Sequence, residues 1–106
     1  MKSRIMCVER KAGNLEGDAR IGRVTFSKSG ETVYYKNKRF RSLKGQGFKA
    51  NYYDVDTRED YWISGPKRNG EDRLYCGGGA EIDADVREEY WSQIRKQPWS
   101  KDRRYS

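Results

Sequence analysis

Histidine is absent from this chain. That removes the commonest general base and the commonest side-chain ligand of zinc and other transition metals. Cysteine is nearly absent too. Cys7 and Cys76 lie far apart in sequence, and two thiols complete no zinc site without carboxylates. Two reduced thiols in a cytoplasmic setting are the expectation, with a Cys7–Cys76 disulfide left open. Long apolar runs are missing as well. The N-terminal MKSRIMCVERK holds an apolar run too short for the core of a signal peptide, and no stretch approaches transmembrane length, so no membrane association is expected. Apolar residues make up 34% of the chain and charged residues 37%, a balance that alone would suggest disorder.

Aromatic residues oppose that reading. Eight Tyr, three Trp and three Phe each bury a large area, enough for a modest core in a single domain of 106 residues. The charge is lopsided. Residues 1–50 carry a net +9 and residues 51–106 a net −2. A basic half beside a mildly acidic half suggests a positive face suited to polyanions, although ordinary solubility charge would look similar. The sharpest concentration is Thr32 to Tyr53, with six basic residues, no acid and interleaved aromatics.

Alternation of apolar and polar residues predicts a meander of short strands. Arg4 to Glu9 sets Ile5 and Cys7 on one side and Met6 and Val8 on the other. Lys11 to Ala19 is loop chemistry. Arg20 to Ser27 follows, with Gly22 a candidate bulge. A hairpin loop at Lys28–Glu31 returns the chain through Thr32 to Lys36, pairing Phe26 with Val33 and Val24 with Tyr35. A tight turn near Asn37-Lys38, with Asn supplying the left-handed conformation, would set Phe40 opposite Tyr35. The outer face would then carry Arg23, Thr25, Ser27, Thr32, Tyr34, Lys36, Arg39 and Arg41. Arg23 would oppose Lys36, and Lys36 would oppose Arg39. Such like-charge pairs call for something anionic between them, from the chain itself or from a ligand.

Ser42 to Lys49 is a glycine-rich basic loop. Asn51–Asp56 and Asp60–Ser64 form a further hairpin, in a register burying Tyr53, Val55, Tyr61 and Ile63 and turning Asp54 and Trp62 outward. Asp72 to Cys76 reads as a last short strand before three glycines. Val86, Tyr90 and Ile94, with Trp91 beside them, make one helical stripe over about 84–96. Asp83 or Asp85 caps this helix, Asp85 and Glu88 have capping-box spacing, and Pro98 ends it. The fold class is therefore mainly β: a small curved antiparallel sheet or SH3-like barrel of five to six strands with one C-terminal helix. Residues 1–98 form the domain, and 99–106 form a polar basic tail expected to fray.

Few residues invite catalytic chemistry. Asp54 to Asp60 superficially resembles a calcium loop, but Arg58 and Glu59 occupy the positions where an oxygen ligand and glycine are needed, so a hairpin turn is the better reading. No pair stands out among Asp54, Asp56, Asp83 and Asp85, and these acids are expected to cap the helix or face the basic strands. Lys44-Gly45-Gln46-Gly47 has neither Walker nor Rossmann context and reads as a turn between strands. No cofactor is expected. The basic strands with exposed aromatics point instead to a non-enzymatic module for RNA, DNA or another polyanion. Arg23, Lys36, Arg39, Arg41, Lys44 and Lys49 would meet phosphates, and Tyr34 or Trp62 would stack on a base. The second reading is a protein–protein interaction module using aromatics around Trp62, Tyr90 and Trp91. Oligomeric state is not legible.

The phrases FRSLKGQGFKANYYDV, YWISGPKRNGEDRLY and EIDADVREEYW carry a resemblance that extends from Arg4 to about Pro98. In these the chain resembles a family of small bacterial proteins of unknown function, which implies a cytoplasmic bacterial protein and lends no catalytic residues. Some members bear a 1-deoxy-D-xylulose-5-phosphate synthase label. That reaction takes thiamine diphosphate and a multi-domain enzyme, which this length does not supply.

Overall fold

A computed structural model describes residues 2–11, 18–45, 50–68 and 80–106. The seven strands are β1 Lys2–Arg10, β2 Ala19–Phe26, β3 Thr32–Tyr35, β4 Lys38–Ser42, β5 Tyr52–Asp54, β6 Asp60–Ser64 and β7 Glu81–Ile82. β1 pairs with both β2 and β6, so the order β1-β6-β5-β4-β3-β2 closes on itself as a six-stranded antiparallel barrel. Closure leaves the six strands without open edges, which matters for strands as short as β5. β7 adds in parallel beside the Arg20–Ile21 end of β2, and a single C-terminal helix, α1, follows over residues 84–94. Among the described residues, no helix is long and apolar enough to cross a membrane.

The alternation of β1 builds two cores at once. Met6 and Val8 point into the barrel with Val24, Val33, Tyr35, Phe40, Tyr61 and Ile63. Ile5 and Cys7 point out of it, against Ile21, Ile82, Val86, Tyr90 and Trp91. Burying a side chain such as Phe40, which is fully enclosed against Tyr61 with ring centroids 4.6 Å apart, is worth about 2–3 kcal/mol. The stripe of α1 is as the spacing predicts. Val86, Tyr90 and Trp91 are buried, with Ile94 packed beside them.

Local registers depart from the reading in several places. Phe26 does pair with Val33, but the next turn is Lys36-Asn37, so Val33 rather than Tyr35 opposes Phe40. Phe40 keeps its face because the slip is by two residues. The left-handed residue is Lys36, at φ 54°, not Asn37. Lys36 therefore sits in the turn, and Arg39 opposes Tyr34. In β5 the slip is by one: Tyr52 pairs with Tyr61, which turns Asp54 inward and leaves Tyr53 and Val55 half-buried. Gly22 is no bulge, since its pairing with Met6 is in step with its neighbours.

The end of the chain is tied down rather than frayed. Trp91 Nε1 donates to the Arg103 carbonyl (2.9 Å), Ser106 N to the Ala80 carbonyl (2.9 Å) and Ile82 N to the Arg104 carbonyl (2.6 Å). The helix stops before Pro98. Its last turn widens as Arg95 N reaches back to the Tyr90 carbonyl (3.0 Å), and left-handed Lys96 follows, at φ 58°. The expectations at Gln46–Lys49 and Asp72–Gly79, including Cys76 and any disulfide with Cys7, lie outside the described residues.

Candidate nucleic-acid interface

β3 and β4 present the outer face from which the sequence predicts a site. Tyr34, flanked in sequence by buried Val33 and Tyr35, points away from the barrel by alternation and is 37% exposed. It pairs with Thr25 on one side and Arg39 on the other, while Thr32 pairs with Arg41. Lys44 follows just beyond β4. One aromatic ring thus stands beside two guanidinium groups on a single sheet surface.

The acids of the chain answer these cations. Arg39 lies 3.8 Å from Asp56, and Arg41 and Lys44 lie 3.6 and 3.5 Å from Glu31. All partners in these three pairs are at least 45% exposed, and exposed pairs contribute about 0–1 kcal/mol and weaken with salt. Phosphate oxygens can replace such partners at little cost.

Arg23 and Lys36 belong elsewhere. Arg23 donates to Glu89 of α1 at 2.5 Å, and Lys36 lies 3.5 Å from Asp83. Asp83 is buried between β2, β3 and α1. It accepts from Tyr35 Oη (2.5 Å) and Arg20 Nε (2.8 Å), and its own N–H donates to the Ile21 carbonyl. Burial, and then the adjacent carboxylate, pushes the Tyr35 phenol well above the usual tyrosine range. Asp83 stands at the N-cap of α1 but makes no side-chain capping bond, and neither does any capping-box pair there. Its oxygens are spent on Tyr35 and Arg20. The signal for this cluster was Gly22, an unexplained glycine inside a strand.

Trp62 does not join Tyr34. It is half-buried on β6, which lies across the barrel from β3. Tyr90 and Trp91 are completely buried, so the aromatic protein-docking surface expected around them does not form. Among the described residues, the most exposed aromatic is Trp99, at 79%. Lys49 lies outside the described residues.

Asp54 is an internal device of the fold. Its Oδ1 accepts from the amides of Asp56 (2.8 Å) and Thr57 (3.2 Å), closing the β5–β6 turn, and its Oδ2 accepts from Lys38 Nζ (3.2 Å). Burial alone would raise its pKa, but the two amides and Lys38 outweigh that and hold it below the usual aspartate value. The loop that superficially resembled a calcium site is therefore a turn organised by its first carboxylate. Among the described residues, no three His, Cys, Asp or Glu side chains gather as a metal site.

A scan against protein-family models matches none of them to this chain, and searches of curated proteins and of solved structures return no similar protein.

Proposed function

We propose that the protein is a non-enzymatic binding module that engages unpaired RNA or DNA on the outer face of β3 and β4. The observation that carries this reading is Tyr34, solvent-facing and directly across from Arg39, with Arg41 and Lys44 alongside. A base stacks on the ring while the guanidinium and ammonium groups meet the flanking phosphates. The long, exposed contacts to Asp56 and Glu31, at 3.5 to 3.8 Å, yield to those phosphates, whereas the 2.5 Å hydrogen bond to Glu89 and the buried Asp83 compete for Arg23 and Lys36. The contact set is thus narrower than the charge distribution alone suggests. The buried carboxylates Asp54 and Asp83 hold the fold together, which favours binding over acid–base chemistry.

Fluorescence anisotropy with a labelled oligouridylate and its deoxythymidylate counterpart tests the reading. Saturable binding at low salt, weakening steeply with added salt, is expected. Affinity that is absent at low salt, or unchanged by salt, overturns it. A role in protein docking has one observation in its favour, the solvent-exposed Trp99. Concentration-dependent self-association lost in Trp99→Ala, together with no oligonucleotide binding, would shift the reading there.

A further inference from the structure

From the barrel mouth at the start of β1, we infer a separate binding site for a phosphomonoester attached to a planar ring. Side chains on alternate residues of a barrel strand face inward, and in β1 the inward set is Lys2, Arg4, Met6 and Val8. Met6 and Val8 fill the core. Lys2 and Arg4 occupy the same face yet are exposed, because the barrel opens around them into a cleft of about 670 Å³. That volume suits a small ligand, and barrel mouths are a recurrent place for one.

The lining has two chemistries. Lys2, Arg4 and Lys28 supply three positive charges, and none of them has a carboxylate of the described residues within 4 Å. This separates them from Arg23, Lys36, Arg39, Arg41 and Lys44, each of which has an acid partner. Phe26 supplies an aromatic wall. It pairs directly with Lys2, so the two side chains leave the sheet on the same face. The hairpin loop completes the cleft. Ser27 Oγ accepts from Thr32 N (3.1 Å) and Ser29 Oγ from Glu31 N (3.3 Å), which fixes both hydroxyls at the rim.

An Arg fork with two ammonium groups suits a phosphate dianion, and the Phe26 wall suits a planar ring held beside it. The cleft is walled by the start of β1, the end of β2 and the hairpin loop, and neither Tyr34 nor any residue of β3 or β4 lines it, so a strand lying on β3 and β4 does not fill it. The ligand is either a free nucleotide or the 5′-phosphorylated end of a nucleic acid, which share this chemistry.

Titration of the isotope-labelled protein with adenosine 5′-monophosphate, followed by amide NMR, tests the inference. Saturable shifts at Phe26, Lys28 and Gly30 are expected, with adenosine alone and inorganic phosphate each binding at least about tenfold more weakly. Replacing Lys2, Arg4 and Lys28 together by Gln weakens binding at least about tenfold, and so, more mildly, does Lys28→Glu at the exposed hairpin tip. Tyr34→Ala leaves it unchanged, which keeps this site distinguishable from the β3–β4 face. A 5′-phosphorylated oligonucleotide that displaces the nucleotide, where its 5′-hydroxyl twin does not, identifies the strand end as the source. Failure to displace identifies the free nucleotide. Shifts absent from these amides, equal with adenosine, or undiminished in both charge variants overturn the inference.

Discussion

Gly22 and Asp83 touch across the wall of the barrel. A Cβ on Gly22 would stand 2.6 Å from Tyr35 Cε1 and closer still to Asp83 Oδ2. The bare Cα is what lets the Tyr35 hydroxyl and the Asp83 carboxylate meet at 2.5 Å. Gly22→Ala therefore either shifts β2 or parts the pair, at a cost of about 2–4 kcal/mol. Urea denaturation should show a lower midpoint with an unchanged slope. A change below about 0.5 kcal/mol would mean that the cluster relaxes freely.

Glu9 and Lys11 form the most deeply buried ion pair among the described residues, 3.1 Å apart, with side chains 0% and 1% exposed. Removing one partner takes the ion pair away from a charge that stays buried. Glu9→Ala should cost about 3–5 kcal/mol. Replacing both by Met removes the desolvation penalty with the pair and should recover most of that loss. Thermal unfolding of the two variants distinguishes this from simple loss of packing, under which the double replacement would be no better than the single one.

The elements legible in the sequence are those with an uninterrupted run of apolar residues on the face that is enclosed. β1, the β2–β3 hairpin and the stripe Val86, Tyr90 and Ile94 are of this kind. Where a polar side chain is buried for a specific partner, alternation misleads. A register that buries Tyr53 and Val55 turns Asp54 outward, yet two turn amides and Lys38 hold it inside. Spacing offers Asp83 either as a helix cap or as a partner for the basic strands; it is the second that forms, with Arg20 and Lys36, and spacing shows nothing of Tyr35. β7 has only two residues, too few for any periodicity, and its pairing with β2 depends on contacts distant in sequence. The outward position of Tyr34 was legible from Val33 and Tyr35. That Trp62 lies across the barrel was not, since closure through β1 and β2 is a long-range fact. The mouth cleft left a trace: Lys2 and Arg4 continue the alternation of Met6 and Val8, where apolar residues would be due.

Alkaline pH should expose the Tyr35–Asp83 pairing. Burial raises the pKa of Tyr35, Tyr52 and Tyr61, and for Tyr35 the Asp83 carboxylate adds to it. Below about pH 10 all three are neutral in the folded and unfolded states. Above it the unfolded chain loses protons that the folded chain retains, so stability falls as pH rises. The melting temperature should decline from about pH 10 upward, and ultraviolet absorbance should show tyrosines that ionise only on unfolding. Tyr35→Phe starts lower, having lost its hydrogen bond, but its decline is shallower. A decline as steep as in the parent would place the effect on the other two rings.

Binding by the β3–β4 face makes a contrast within the basic residues themselves. Tyr34→Ala should weaken an oligouridylate by about 5- to 100-fold, and Tyr34→Phe by little, because stacking uses the ring and not the hydroxyl. Arg39→Gln and Arg41→Gln should each weaken binding and reduce the slope of log K against log salt by about one unit. Arg23→Gln and Lys36→Gln should lower affinity and slope by less, since a 2.5 Å hydrogen bond to Glu89 and the buried Asp83 compete for those side chains. Anisotropy titrations of the six variants over a series of salt concentrations measure all of this at once. Equal losses across all four charge variants would mean that net charge, not the ordered face around Tyr34, does the binding.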